Sequence, residues 1–155
     1  MRAVLTRVSS ASVSIRGNVV GKIGKGFLIL LGVGPEDTEK ECRYLAEKAL
    51  GLRIFTDEQD KMNLGLEAVK GEVLVVSQFT LYGNCRKGRR PSFTGAAGPE
   101  LGNALYEKFL SICEELGYPP QHGEFGADMQ VESVNDGPVT LILDTDELMD
   151  APRRG

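Results

Sequence analysis

The sequence predicts a single domain of the α/β class, in which a mixed sheet carries two main helices on one side. The order of patterns indicates this class, because strand-like segments come first, two strand–helix units follow, and strand-like segments return. A length of 155 residues, with 41% hydrophobic and 26% charged content, is ordinary for one soluble globular domain. We therefore assign residues 1–155 to one compact domain and expect the tail, about 146–155, to be frayed.

The first fifty residues have patterns typical of strands followed by one helix. Residues 16–18 form a turn between two strands, and Thr38 with Glu41 has the spacing of a capping box. Apolar residues at helical intervals then predict a helix from about 38 to 50. The four predicted strands of this part are residues 2–8, 11–15, 19–23 and 27–33.

The rest of the chain continues the alternation of strand and helix. A strand is predicted over residues 72–82, and Pro99 opens a helix that Gly117 ends. Four further segments complete the prediction: an extended segment at 53–55, a polar loop at 56–63, and a final strand pair at 124–134 and 138–144.

The stretch from Glu72 to Phe93 is the strongest candidate for a functional site. Its apolar run changes abruptly to Ser77-Gln78-Phe79-Thr80, where the strand leaves the core. Backbone N–H groups at such a strand end can face a cleft and hold an ester or an amide. A basic loop (residues 83–91) follows and is able to hold phosphates through Arg86, Lys87, Arg89 and Arg90. The plainer interpretation is a strand end followed by a solvated turn.

Composition and motifs exclude several chemistries. A net charge of −4 counts against general binding of DNA or RNA, so the basic loop suits a few phosphates near one RNA end. Three widely spaced cysteines argue against a disulfide framework and favour a reducing cytoplasm. There is no membrane-spanning run, no clustered set of metal ligands and no nucleotide-binding glycine loop, so we expect neither metal nor cofactor. Nothing ties the single histidine, His122, to Ser77 or Thr80 as a catalytic triad requires.

Four motifs carry a resemblance to a known family. They are SQFTL at 77–81, KGRRPSF at 87–93, FGADM at 125–129 and NDGPVT at 135–140. In this order and at this spacing they resemble the D-aminoacyl-tRNA deacylase family of chiral-proofreading enzymes. The likeness extends over nearly the whole chain, and its two small departures, Thr6 and His122, lie outside the two central motifs.

The resemblance implies a barrel-like fold and an activity. The activity is hydrolysis of the ester bond of D-aminoacyl-tRNA, and of glycyl-tRNA mischarged on tRNA(Ala), without a cofactor. The implied partners are tRNA and a second copy of the chain in a homodimer, with neither a membrane nor DNA. The residues expected to bind tRNA are Lys87, Arg89 and Arg90.

The resemblance also implies how L substrates are rejected. Gly137-Pro138 corresponds to a Gly-cis-Pro pair that enters the pocket of the partner subunit. Its carbonyls capture the α-amine and leave no space for an L side chain. Phe125 and Met129 are implied to line the same pocket, although both would otherwise be interpreted as core residues and the pair as an ordinary turn.

Thr80 is the obvious nucleophile, but a hydroxyl without a nearby base is a poor nucleophile at neutral pH. The substrate can help instead, because its 2′-OH is able to activate a water. The enzyme then positions the ester and stabilises an oxyanion through N–H groups near Phe79 and Thr80, in a pocket formed with Ser77 and Gln78. The resemblance implies the same RNA-assisted catalysis. Two alternatives remain open: a non-catalytic module that binds RNA ends, and a general esterase.

Overall fold

A computed structural model describes residues 1–150, which form a curled six-stranded sheet, a small hairpin and four helices. The strands are β1 (Arg2–Ile15), β2 (Asn18–Ile23), β3 (Gly26–Gly32), β4 (Phe55–Thr56), β5 (Met62–Leu64), β6 (Glu72–Ser77), β7 (Gln121–His122) and β8 (Gln130–Asp144). The helices are α1 (Glu39–Leu50), α2 (Leu66–Val69), α3 (Pro99–Glu115) and α4 (Thr145–Asp150), with one 3-10 helix at Phe79–Tyr82. No helix within residues 1–150 is both long and apolar enough to cross a bilayer.

The long strand β1 organises the sheet. Along one edge it pairs antiparallel with β3 and then with β2, and along the other edge it pairs antiparallel with β8. Strands β3, β6 and β7 continue the sheet in parallel. The sheet curls until β2 meets β7, where the Lys22 N–H lies 3.5 Å from Gln121 Oε1. This nearly closed, barrel-like sheet confirms the predicted mixed α/β architecture.

Two cores lie on opposite faces of this sheet. Leu28 of β3 and Leu74 of β6 fill the inside of the barrel, whereas their neighbours Ile29 and Val75 face the helices. Successive strand residues point to opposite faces, so both strands are apolar throughout. The outer core is completed by α1 and α3, the two main predicted helices, which pack against each other on one side.

The ends of both main helices follow the predicted capping chemistry. Thr38 Oγ1 accepts from the Lys40 N–H at 3.3 Å, and the Glu41 carboxylate accepts from the Thr38 N–H at 2.9 Å. The hydrogen bonds from Thr38 also lower the pKa of Glu41. Pro99 is the first residue of α3, and Gly117 follows its end with φ of +95°.

The predicted strand at 72–82 was too long. It ends at Ser77, because Ser77 pairs with Leu31 and β3 itself ends one residue later at Gly32. Without a partner strand the chain winds into the 3-10 helix, despite the strand-favouring character of Phe79, Thr80, Leu81 and Tyr82.

The predicted final strand pair was also wrong. Residues 130–144 form one continuous strand, because β1 offers pairing partners from Arg2 to Ser14 on both sides of the expected turn. The same length of β1 joins the predicted strands 2–8 and 11–15.

Two further segments differ from the prediction. The predicted loop at 56–63 contains most of the β4–β5 hairpin. The first part of the tail is helical rather than frayed, because the Thr145 N–H donates to Met1 O at 2.9 Å and Thr145 is buried. The remaining tail, 151–155, lies outside the described residues.

Candidate active site

The residues predicted to hold the substrate lie where β6 ends and the 3-10 helix begins. The Gln78 N–H donates to Leu31 O at 2.7 Å, which ties this junction to the neighbouring strand. The first bond of the helix runs from the Leu81 N–H to Gln78 O, at 3.2 Å. The phenyl ring of Phe79 is therefore turned outward, 57% exposed, and Thr80 beside it is exposed as well.

The N–H groups of Phe79 and Thr80 are the unpaired donors of this junction. They come before the first bond of the helix, so they have no partner inside it. Within residues 1–150, neither group donates to a backbone or side-chain acceptor. Backbone N–H groups without an internal acceptor are the kind of donor that stabilises an oxyanion in acyl-transfer sites.

Among residues 1–150, no histidine or carboxylate forms a hydrogen bond with the Thr80 hydroxyl. The Thr80 hydroxyl accepts a hydrogen bond from the Gln78 amide, which does not make it a stronger nucleophile. His122 lies on β7, where its Nδ1 is 2.7 Å from Gly123 O and makes no hydrogen bond to Thr80 among the described residues. Burial raises the pKa of the Cys42 and Cys113 thiols to about 12, so both stay protonated at neutral pH.

The basic loop is closed at its base next to the 3-10 helix. Asn84 and Ser92 exchange two backbone hydrogen bonds of 2.7 and 2.9 Å, and Gly88 turns the loop with φ of +64°. All four basic residues are exposed, and within residues 1–150 none of them forms a salt bridge. The cations are therefore free to meet phosphate groups: Arg86, Lys87, Arg89 and Arg90.

Arg2 holds the far end of the 3-10 helix, a role that the sequence analysis missed. Its guanidinium donates to Leu81 O at 3.1 Å and to Asp144 Oδ2 at 3.0 Å. It also lies 4.4 Å from the centre of the Tyr82 ring. Burial raises the pKa of Tyr82, so this phenol stays neutral beneath the helix.

Gly137 and Pro138 form an exposed bulge in the middle of β8. Thr6 pairs with Thr140 and Val8 with Asn135, so four residues of β8 lie opposite Arg7 alone. We call these four residues, 136–139, the Gly-Pro bulge. The bond between Gly137 and Pro138 is cis, as the resemblance implies. The Asn135 side chain closes the base of the bulge by accepting from the Val139 N–H at 2.8 Å and donating to Thr140 Oγ1 at 2.9 Å.

Arg7 supports the Gly-Pro bulge from below. Its side chain is buried and donates to Asp136 O at 2.8 Å and to Ile54 O at 2.7 Å. A Cβ at Gly137 would lie 2.8 Å from the Arg7 guanidinium, and Gly137 has φ of +134°, so glycine is required there. The sequence contained an indication of this role, because Arg7 follows Leu5 in the inward register of a strand, where a cation needs acceptors.

The remaining predicted site residues are spread over the molecule. Arg2 and Arg7 are five residues apart on β1, about 17 Å at the rise of a strand, so the bulge and the 3-10 helix are not neighbours in one chain. Phe125 packs on Tyr106 of α3, with ring centres 6.0 Å apart. Met129 packs against the inside of the barrel beside Gly123. Of the predicted site residues, only residues 77–80 and the basic loop are therefore adjacent within residues 1–150 of one chain.

Similarity to known proteins decides the family of this chain. The profile of the family described as D-Tyr-tRNA(Tyr) deacylase matches residues 4–144. The chain belongs to this deacylase family. A relative named D-aminoacyl-tRNA deacylase from Desulfatibacillum aliphaticivorans is 61% identical, over 94% of this chain and 99% of the relative. The deacylase of the same name from Geobacter sulfurreducens is 57% identical, over 94% and 95% of the two chains.

Solved structures agree with the fold of the deacylase. One titled as a c-Myc DNA unwinding element binding protein is 41% identical, with a TM-score of 0.87 over 93% of this chain and 98% of that one. One titled as a probable eukaryotic D-amino acid tRNA deacylase is 19% identical, with a TM-score of 0.79 over 92% and 97% of the two chains. Family membership makes this chain a hydrolase of the ester bond between a D-amino acid and tRNA.

Proposed function

We propose that the deacylase cleaves its ester substrate at the junction of β6 and the 3-10 helix, without a side-chain nucleophile. The observation that carries the proposal is that the N–H groups of Phe79 and Thr80, two exposed residues, have no acceptor within residues 1–150. The basic loop beside them supplies cations for the phosphates of the terminal nucleotides. Ser77 and Gln78 frame the same pocket from the strand side.

The chemical step then depends on the substrate. The 2′-OH next to the ester oxygen acts as a proton relay: it accepts a proton from a water as that water adds to the carbonyl carbon, and its own proton passes to the ribose oxygen of the ester. The N–H groups of Phe79 and Thr80 stabilise the resulting oxyanion. The bond between carbonyl carbon and ribose oxygen breaks, and the ribose oxygen leaves with a proton. The products are a free D-amino acid and tRNA.

Discrimination between D and L substrates is assigned to the Gly-Pro bulge of a second copy. Two carbonyls there face the α-ammonium group, and the bulge fills the space where an L side chain would point. Glycine has no side chain to exclude, so glycyl-tRNA on tRNA(Ala) is cleaved as well. The resemblance to the family is what supports Phe125 and Met129 as residues that line the same pocket, beside their packing on Tyr106 and inside the barrel.

The same proposal requires a homodimer. The outer edge of β8 has no partner strand within residues 1–150. Val131, Val134 and Ile142 are exposed along this strand, and an unpaired apolar edge favours association with another copy. Such an enzyme would work in the cytoplasm, where tRNA is charged, and its three free cysteines are compatible with a reducing compartment.

One assay tests the proposal and its two rivals. D-, L- and glycyl-esters on the same tRNA are compared, together with a D-ester on a tRNA whose terminal ribose lacks the neighbouring hydroxyl. We expect rapid cleavage of the D and glycyl esters, slow cleavage of the L ester and loss of activity on the deoxy substrate. Binding without cleavage would support the RNA-end module, and cleavage of simple ethyl esters would support the general esterase.

A DNA control belongs to the same assay, because one of the similar solved structures is named for binding a DNA element. A DNA strand with the sequence of the acceptor end is added as a competitor. We expect this DNA strand to inhibit only as weakly as any other single strand of the same length and charge, since the net charge of −4 disfavours general binding of nucleic acids. Inhibition at the concentration at which uncharged tRNA inhibits would contradict the exclusion of DNA.

A further inference from the structure

An exposed aromatic pair lies between the unpaired N–H groups and the basic loop. The ring of Phe93 is 38% exposed, and its centre is 5.4 Å from that of Phe79 at an angle of 73° between the planes. Neither ring belongs to either of the two cores. Core packing therefore does not explain why two large apolar side chains face outward here.

The Phe93 ring is held in place by the loop closure. The paired Asn84 and Ser92 fix the chain just before it, and the Ala96 N–H donates to Phe93 O at 3.1 Å. A Cβ at Gly83 would lie 3.0 Å from the edge of the Phe93 ring, so Gly83 lets the ring pack closely against the backbone. A rigid exposed ring loses little entropy when a flat ligand stacks on it.

The charged residues near the Phe93 ring indicate which class of ligand would bind there. The four cations of the basic loop lie three to seven residues before Phe93 in the chain and have no acidic partner within residues 1–150. An aromatic ring next to unpaired cations is the combination that binds single-stranded nucleic acid, in which bases stack and phosphates pair with the cations.

We propose that Phe93 is the stacking platform for the base that precedes the terminal adenosine of the substrate. The inference rests on the proposed function, which places the terminal nucleotide and its ester at Phe79 and Thr80. The next nucleotide toward the 5′ side then reaches Phe93. Because the two rings are nearly perpendicular, the two bases are unstacked from each other, which an unpaired 3′ end permits.

The test compares a D-aminoacyl-adenosine with the same ester on the dinucleotide cytidylyl-adenosine. We expect Phe93→Ala and Phe93→Leu to lower kcat/KM for the dinucleotide about tenfold, and to leave the adenosine ester within about twofold. Phe93→Tyr retains the stacking face and restores the wild-type ratio. Leu116→Ala is the matched control, because Leu116 is also 38% exposed but lies at the far end of α3.

Each other outcome has a definite meaning. Equal losses on both esters, or no loss on either, would overturn the platform. A loss accompanied by a change in oligomeric state in sedimentation would also overturn it, because Phe93 would then contact a protein partner. If the wild type cleaves neither ester, the proposed function fails. The role of Phe93 is then tested separately by binding: Phe93→Ala should weaken binding of the uncharged dinucleotide more than binding of adenosine.

Discussion

At the scale of single residues, the main chain carries more of the proposed chemistry than any side chain. Within residues 1–150 the two N–H groups have no acceptor, because the strand ends one residue before Gln78 and the 3-10 helix has no earlier acceptor to offer. The hydroxyl of Thr80, the most obvious nucleophile in the sequence, has only the Gln78 amide as a partner.

Substitution of the hydroxyl separates these two roles. We expect Thr80→Ala to retain most of its kcat, because the backbone N–H remains in place. We expect a substrate that ends in 2′-deoxyadenosine to lose most activity with both the wild type and the variant. Single-turnover deacylation measures both effects. An inactive, well-folded Thr80→Ala enzyme with full wild-type activity on the deoxy ester would contradict the substrate-assisted mechanism.

The three thiols provide a second prediction. Burial holds the pKa of Cys42 and Cys113 at about 12, against an ordinary value of 9.0, whereas Cys85 is exposed in the basic loop. Near pH 8 we therefore expect a thiol reagent to modify Cys85 alone in the native protein and all three after denaturation. Because the unfolded thiols ionise first, the free energy of unfolding falls as pH rises above about 9. Rapid native modification of Cys42 would contradict this packing.

At the scale of elements, β1 connects the two halves of the candidate site. Arg2 near its start holds the 3-10 helix through Leu81, and Arg7 in its middle holds the Gly-Pro bulge through Asp136. The strand is therefore both the centre of the sheet and the support of the two segments that are proposed to meet across a dimer.

The two arginines predict different kinetic effects. Arg7→Met leaves Asp136 O and Ile54 O without their donor, which costs about 1–3 kcal/mol of stability and loosens the bulge. We expect the ratio of D to L activity to fall about tenfold, the equivalent of about 1.4 kcal/mol. Arg2→Met is the control on the same strand, and it should lower D and glycyl rates together. Unchanged selectivity in a folded Arg7→Met enzyme would contradict the support role.

The basic loop predicts a dependence on salt. Replacing both Arg89 and Arg90 by glutamine should weaken tRNA binding and flatten the plot of log affinity against log salt, because two phosphate contacts are lost. An aminoacyl-adenosine, which has no upstream phosphates, should be almost unaffected. Replacing Lys22 and Lys25, which lie outside the loop, is the control. Equal losses on both substrates would show that the arginines support the fold.

At the scale of the whole molecule, the candidate site is divided between distant parts of one chain. The bulge is held at Arg7 and the 3-10 helix at Arg2, and we propose that a second copy brings its Gly137 near Thr80. The unpaired edge of β8 and its exposed valines supply a surface for such a copy. A two-fold arrangement would complete two equivalent pockets.

Mixing two variants that each lack D-selective activity tests this arrangement. One variant replaces Gly137 and Pro138, and the other is Thr80→Pro, which removes one N–H donor near the start of a helix, where proline is tolerated. After the subunits exchange, a composite site restores about a quarter of wild-type activity, because half of the dimers are mixed and each has one intact pocket. A mixture that stays inactive, or full activity in a monomer, would contradict a composite site.

The sequence by itself determined the α/β class, both main helices with their caps, and the change from apolar to polar residues at 77–80, where we propose that the ester binds. Local rules are sufficient for these features, because capping, apolar periodicity and an abrupt change from apolar to polar residues act between neighbours. Predictions from local propensity were wrong where pairing with a neighbouring strand determines the secondary structure. The 3-10 helix forms because β3 ends, and β8 stays continuous because β1 is long enough to pair on both sides of Pro138. Only the tertiary structure assigned Arg2 and Arg7 to their acceptors, because those acceptors lie 79 and 129 residues away in the chain.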